Sequence, residues 1–98
     1  MESRIERNES NNKGEFVVYV DGKRAGEMTY SRAGEKLIII DHTGVNDDMR
    51  GNGLAADLVE AGVKWARETG TRVIPLCPYA KAKIEKTPDW QDVLDRRN

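Results

Sequence analysis

A chain of 98 residues has room for one small domain, residues 1–98, around a single core, so any active site must be compact. Its 16 Lys and Arg against 17 Asp and Glu leave a formal charge of −1, which offers no field to attract nucleic acid or an anionic membrane. One cysteine, Cys77, and one histidine, His42, exclude an internal disulfide and argue against a metal site. The opening Met1–Arg7 lacks the apolar stretch of a signal peptide, and no apolar run approaches the roughly 20 residues that span a bilayer, so a cytoplasmic protein is expected.

A short strand is expected around Arg4 to Arg7, and the polar run Asn8 to Gly14 reads as a loop. Glu15 to Val20 is aromatic and β-branched, Asp21-Gly22-Lys23 supplies a tight turn, and Arg24 to Tyr30 returns as a second strand. Ser31-Arg32-Ala33-Gly34 reads as the next turn. Lys36 to Ile40 follows, an uninterrupted apolar run that suits a strand buried on both faces and continues through Val45. From Asn52, Leu54, Leu58, Ala61 and Trp65 recur at helical spacing, and Gly70 stands just past the last periodic residue, Thr69. A strand over Arg72 to Leu76 completes a right-handed crossover. Tyr79 to Lys86 is helix-compatible, and Thr87-Pro88 reads as N-cap and N1 of a last short helix to about Arg96. Trp65 and Trp90 read as core or helix-docking residues. The expected fold is α/β (α+β): a mixed, mostly antiparallel sheet flanked by helices.

The informative motif is Arg50-Gly51-Asn52-Gly53-Leu54-Ala55, between a strand and a helix. Glycines bring the backbone close to a ligand, and the helix N-terminus presents unpaired N–H groups and the positive end of its dipole, which together suit a pyrophosphate. One such contact is worth roughly 0.3–1 kcal/mol, so several amides must act together. The same residues fit the dinucleotide fingerprint G-x-G-x-x-A, but that fold opens with its βα turn, whereas here a meander precedes it. The Lys and Ser/Thr of a P-loop are missing, since Leu54-Ala55 occupies their place.

Read as R-x-x-G-x-A and flanked by strand, helix and strand, this segment resembles the GCN5-related N-acetyltransferases. Asp41-His42-Thr43-x-Val45 and Val73-Ile74-Pro75-Leu76-Cys77-Pro78-Tyr79 look like the small, single-domain branch often called YjdJ-type or minimal acetyltransferases. The resemblance covers essentially the whole chain. It implies acetyl-CoA (coenzyme A) as cofactor, lying in a V-shaped opening between the strands ending at Val45 and Leu76. The amides of Arg50, Gly51, Asn52, Gly53, Leu54 and Ala55 would hold its pyrophosphate, and the backbone of Thr43, Gly44 and Val45 its pantetheine arm. The acceptor-binding helices of the superfamily are reduced in this branch, which leaves the amine acceptor unspecified.

Three residues are catalytic candidates. His42 suits a general base if it faces the cleft, since histidine is the side chain whose unperturbed imidazole changes charge near working pH. Cys77, just past a strand end in the expected cleft, is either a nucleophile or an inert core thiol. Tyr79 is a proton donor to the departing thiolate, as a tyrosine is in several members of the superfamily, or packs over Pro78. Arg50 has either a ligand or a solvated role, and Lys81, Lys83 and Lys86 read as a solvated helix face rather than a site for the ribose 3′-phosphate. The expected activity is acetyl-CoA-dependent acetyl transfer to an amine, directly or through Cys77. The alternative is a CoA or acyl-CoA binding module without turnover, and a third reading is an interaction domain that has lost CoA. A monomer or a weak homodimer through an exposed strand edge is expected.

Overall fold

The computed structural model describes residues 2–95. Strands β1 (Ser3–Ser10), β2 (Lys13–Val20), β3 (Lys23–Gly34) and β4 (Leu37–Val45) form an antiparallel meander, and β5 (Arg72–Pro75) joins β4 in parallel. Strand order in the sheet is therefore strand order in the chain. Helix α1 (Leu54–Thr69) links β4 to β5, helix α2 (Pro78–Glu85) follows, and two 3₁₀ segments occupy Asp47–Met49 and Pro88–Val93. Among the described residues no helix is long and apolar enough to cross a membrane.

Residues 8–14 are not a loop. Strand β1 runs to Ser10 and β2 starts at Lys13, joined through Asn11 (φ 53°) and Asn12 (φ 66°). Two successive left-handed residues make the turn whose twist matches antiparallel strands, and asparagine enters that region with least cost after glycine. The Asp21-Gly22 turn (φ 50° and 84°) has the same form and lies where the sequence predicts. The third turn is displaced, because β3 continues through Ser31–Gly34 and the chain reverses at Glu35 and Lys36. Arg32 holds this extension: its Nε donates to Glu9 Oε2 at 2.8 Å and its Nη1 to the Glu35 carbonyl at 2.8 Å.

Helix α1 buries Leu54, Leu58, Val59, Val63 and Ala66 against Phe16, Val18, Met28, Tyr30, Ile38 and Ile40, which share one face of the sheet. Each such Leu or Val contributes roughly 1.5–3 kcal/mol. Ala80 and Ile84 of α2 join the same core, and Trp65 and Trp90 pack against it partly buried. Among the described residues no helix packs on the opposite, outer face, where Val17 is buried, Glu15, Glu27, Thr29 and Ile39 are half-buried and Asp41 and His42 are exposed. Burial of the Leu37–Ile40 run on both faces is thus incomplete, because no helix lies over Ile39.

Helix α1 ends as expected at Gly70 (φ 69°), with Thr71 N–H donating to the Ala66 carbonyl at 2.8 Å. The C-terminal expectation is revised. Thr87 and Pro88 stand at N-cap and N1 as expected, but the Thr87 hydroxyl donates back to the Lys83 carbonyl at 2.8 Å instead of capping, and Pro88–Val93 is 3₁₀ rather than α-helical. The expected end near Arg96 lies outside the described residues.

Candidate functional site: a split strand and a run of free amides

The two halves of β4 have different neighbours. Leu37 to Ile40 pair with β3 on one side and β5 on the other. The parallel pairing closes where the amides of Leu76 and Cys77 both donate to the Ile40 carbonyl, at 3.0 and 3.1 Å. Beyond this point Pro78 diverts the chain into α2, while residues 41–45 of β4 continue beside β3 alone. The result is an opening between diverging chains.

A bulge sets what faces that opening. Tyr30 pairs with Ile40 but Thr29 with His42, so Asp41 is the extra residue and the alternation shifts past it. Asn46 N–H donates to the Ala25 carbonyl at 2.8 Å, so the backbone of Gly44 and His42 turns to β3 by alternation. That of Thr43 and Val45 turns to the open side. Side chains alternate as well: Thr43, opposite the buried Met28, faces the core side, and His42, opposite Thr29, faces outward.

A cleft of about 450 Å³ runs from Thr43, Gly44 and Val45 past Met49, Arg50, Gly51 and Gly53 to Leu54, Ala55, Ala56 and Tyr79. Gly51 (φ 89°) and Gly53 (φ 75°) lie in the left-handed region, and an added Cβ at either meets no protein atom within 4 Å. Backbone conformation, rather than crowding inside the protein, therefore selects glycine at both positions. Arg50 N–H donates to the Asp47 carbonyl at 3.4 Å, and the next amide with a backbone acceptor is Asp57, which donates to Gly53 at 3.1 Å. Among the described residues, the amides from Gly51 through Ala56 donate to no protein acceptor. Asn52 lies outside the cleft lining and its Nδ2 donates back to the Met49 carbonyl at 3.1 Å, bracing the loop. The Arg50 side chain pairs with Asp47 at 3.2 Å, both largely exposed.

Cys77 caps α2 and is buried, with its Sγ 3.5 Å from Thr43 Oγ1, to which the thiol donates. Burial pushes this thiol up, but once it is ionised the Thr43 hydroxyl can turn to donate to the thiolate, and with the amides of Ala80, Tyr79 and Thr43 this outweighs burial and leaves the thiol below its ordinary value. Tyr79 is partly exposed in the cleft wall. The structure therefore brings Cys77, Thr43 and Tyr79 together on one side of β4 and places His42 on the other. Met49 and Ala56 line the cleft without having been singled out in the sequence. Ala56 follows from the rule that the first helical turn leaves its amides unbonded, whereas no sequence signal marks the 3₁₀ turn that presents Met49.

The profile of the family described as GCN5-related N-acetyl-transferase matches residues 15–93. The chain belongs to the GCN5-related N-acetyltransferase family. A GCN5-like protein of Staphylococcus aureus, solved by NMR, is 34% identical with a TM-score of 0.69, over 95% of this chain and 90% of that one. A ribosomal-protein-alanine N-acetyltransferase from Brucella melitensis shares the fold at 18% identity and a TM-score of 0.64, over 91% of this chain and 66% of its own. A Bacillus anthracis protein described as a streptothricin acetyltransferase, solved with acetyl coenzyme A, shares it at 15% identity and 0.56, over 67% of this chain and 38% of its own. Among curated proteins, none matches.

Proposed function

We propose that this protein is an acetyl-CoA-dependent N-acetyltransferase. The observation that carries the reading is the coincidence of two unsatisfied backbone surfaces at one end of the sheet. The free amides of Gly51 to Ala56 suit a pyrophosphate, and the unpaired edge of Thr43 and Val45 suits an arm that bonds as an added strand would. Membership of the family and the complex of the Bacillus anthracis protein with acetyl coenzyme A support the same cofactor.

Acetyl-CoA supplies an acetyl group activated as a thioester. The chain's own residues then have separate tasks. An amide on the open edge, that of Thr43 or Val45, stabilises charge that develops on a carbonyl oxygen, because the donor is fixed before the reaction begins. His42, on the outer face, takes the proton of the attacking amine, and Tyr79 in the cleft wall gives a proton to a departing thiolate. In the direct route Cys77 only packs beside Thr43. In the covalent route its thiolate first accepts the acetyl group and then yields it to the amine, and its lowered pKa suits that role. Cys77→Ala with near-normal turnover would exclude the covalent route.

One observation favours a binding module without turnover. Among the described residues no base contacts Cys77, and His42 stands on the opposite face of β4. Calorimetric titration with acetyl-CoA and CoA, with ATP and NAD as controls, tests what both readings share. Saturable binding of the CoA ligands alone is expected. No binding would discard both.

A further inference from the structure

His42 is exposed, yet its ring has a built resting place. The imidazole Nε2 lies 3.8 Å from Glu27 Oε2, and Glu27 stands opposite Gly44 on the neighbouring strand. To reach Glu27 the ring passes over Gly44, where an added Cβ would sit 2.9 Å from His42 Nε2 and 3.2 Å from Glu27 Oε2. Gly44 is not in the left-handed region, so its backbone conformation does not require glycine. A side chain at position 44 would push the ring and the carboxylate aside together. The charged groups around the pair are few: Arg24 lies 3.6 Å from Glu27 and also binds Glu15 at 3.1 Å.

We propose that Glu27 is a positioning residue that holds the His42 imidazole over Gly44 at the open edge of β4, so that the acceptor amine approaches from the outer face of the sheet. The inference rests on the reading of His42 as the proton acceptor. It gives the outward orientation of His42 a purpose. Cofactor and acceptor then occupy opposite faces, and they meet only along residues 41–45, where no neighbouring strand closes the edge. The outer face has room for an acceptor, since the cross-strand row Asn8, Glu15, Thr29, His42 leads from the edge into a cavity of about 470 Å³ that Asn8, Glu15, Thr29 and Asp41 help to line.

His42 is the sole histidine, so its ring protons are unambiguous by NMR. In the wild type a nuclear Overhauser contact from imidazole Hε1 to the Gly44 α-protons is expected, and Glu27→Ala should abolish it while the sheet stays folded. With acetyl-CoA and n-butylamine as the probe acceptor, Glu27→Ala and Gly44→Ala should each lower kcat by about a hundredfold, the scale of an ångström-level misplacement, and Glu27→Ala should leave KM for acetyl-CoA unchanged. Persistence of the contact in Glu27→Ala, or wild-type kcat in both variants, would overturn the proposal. A wild type that binds acetyl-CoA without turnover would instead count against the transferase reading, and the Overhauser contact would still decide whether Glu27 holds the ring.

Discussion

The first four residues of β4 and the last five belong to one strand and do opposite work. Leu37 to Ile40 have hydrogen-bonded neighbours on both sides and send Ile38 and Ile40 into the core. Asp41 to Val45 have one neighbour, a bulge and a free edge. The closed half supplies stability because its backbone has a paired strand on each side and Ile38 and Ile40 are buried. The open half leaves backbone groups for a ligand, an arrangement that lasts only because the closed half and α1 fix its position.

Substitutions in the two halves should separate these properties. Ile38→Ala, in the closed half, should cost about 2–5 kcal/mol in denaturant unfolding, since it opens a cavity beneath α1. A cost below 1 kcal/mol would mean the core is not where it is described. Gly53→Val should leave most of the fold but weaken acetyl-CoA binding tenfold or more, because a β-branched residue is disfavoured at φ 75° and its branches enter the cleft. Gly53→Asn sharpens the test, since asparagine tolerates that φ; if it binds as wild type, conformation alone explains the glycine.

A third contrast lies far from the cleft, where Glu9 ties β1 to the body of the sheet. Its carboxylate accepts from Arg32 and from the Tyr30 hydroxyl, which lies 2.6 Å away, and these bonds hold its pKa below the ordinary carboxylate value. A lowered folded pKa gives stability that is present above the unfolded value and is lost as pH falls through the folded one. Glu9→Gln should therefore cost about 1 kcal/mol at neutral pH and nothing once the medium is more acidic than the folded carboxylate's pKa. A pH-independent difference would contradict that account. The smallest effect is expected at Thr43→Val, which removes one of the hydrogen bonds that lower the Cys77 thiol. The midpoint of its ultraviolet thiolate titration should rise, with little change in stability.

Much of this comparison was legible in the sequence wherever local chemistry decides structure. Asp21-Gly22, Gly70 and the apolar stripe of α1 each state their conformation through a steric or periodic preference. The glycine loop was legible because Gly51 and Gly53 precede an amphipathic helix. The edge strand β1 was legible only around Arg4 to Arg7, because it buries almost nothing and its turn uses Asn11-Asn12 rather than a glycine. Nor was the bulge at Asp41, which no residue type announces and which decides that Thr43 meets Cys77 while His42 faces outward. A single-residue shift in register reverses every later side chain, so alternation read from the sequence left the facing of His42 open.

The central claim is that the open half of β4 and the free amides of the loop form one ligand surface. A titration of ¹⁵N-labelled protein with CoA, followed by amide resonances, tests it most directly. The account predicts that Thr43, Val45 and Gly51 to Ala56 shift together along one binding curve while Asn11, Asn12 and the rest of the β1–β2 hairpin stay still. Shifts confined to the hairpin, or none at saturating CoA, would contradict it.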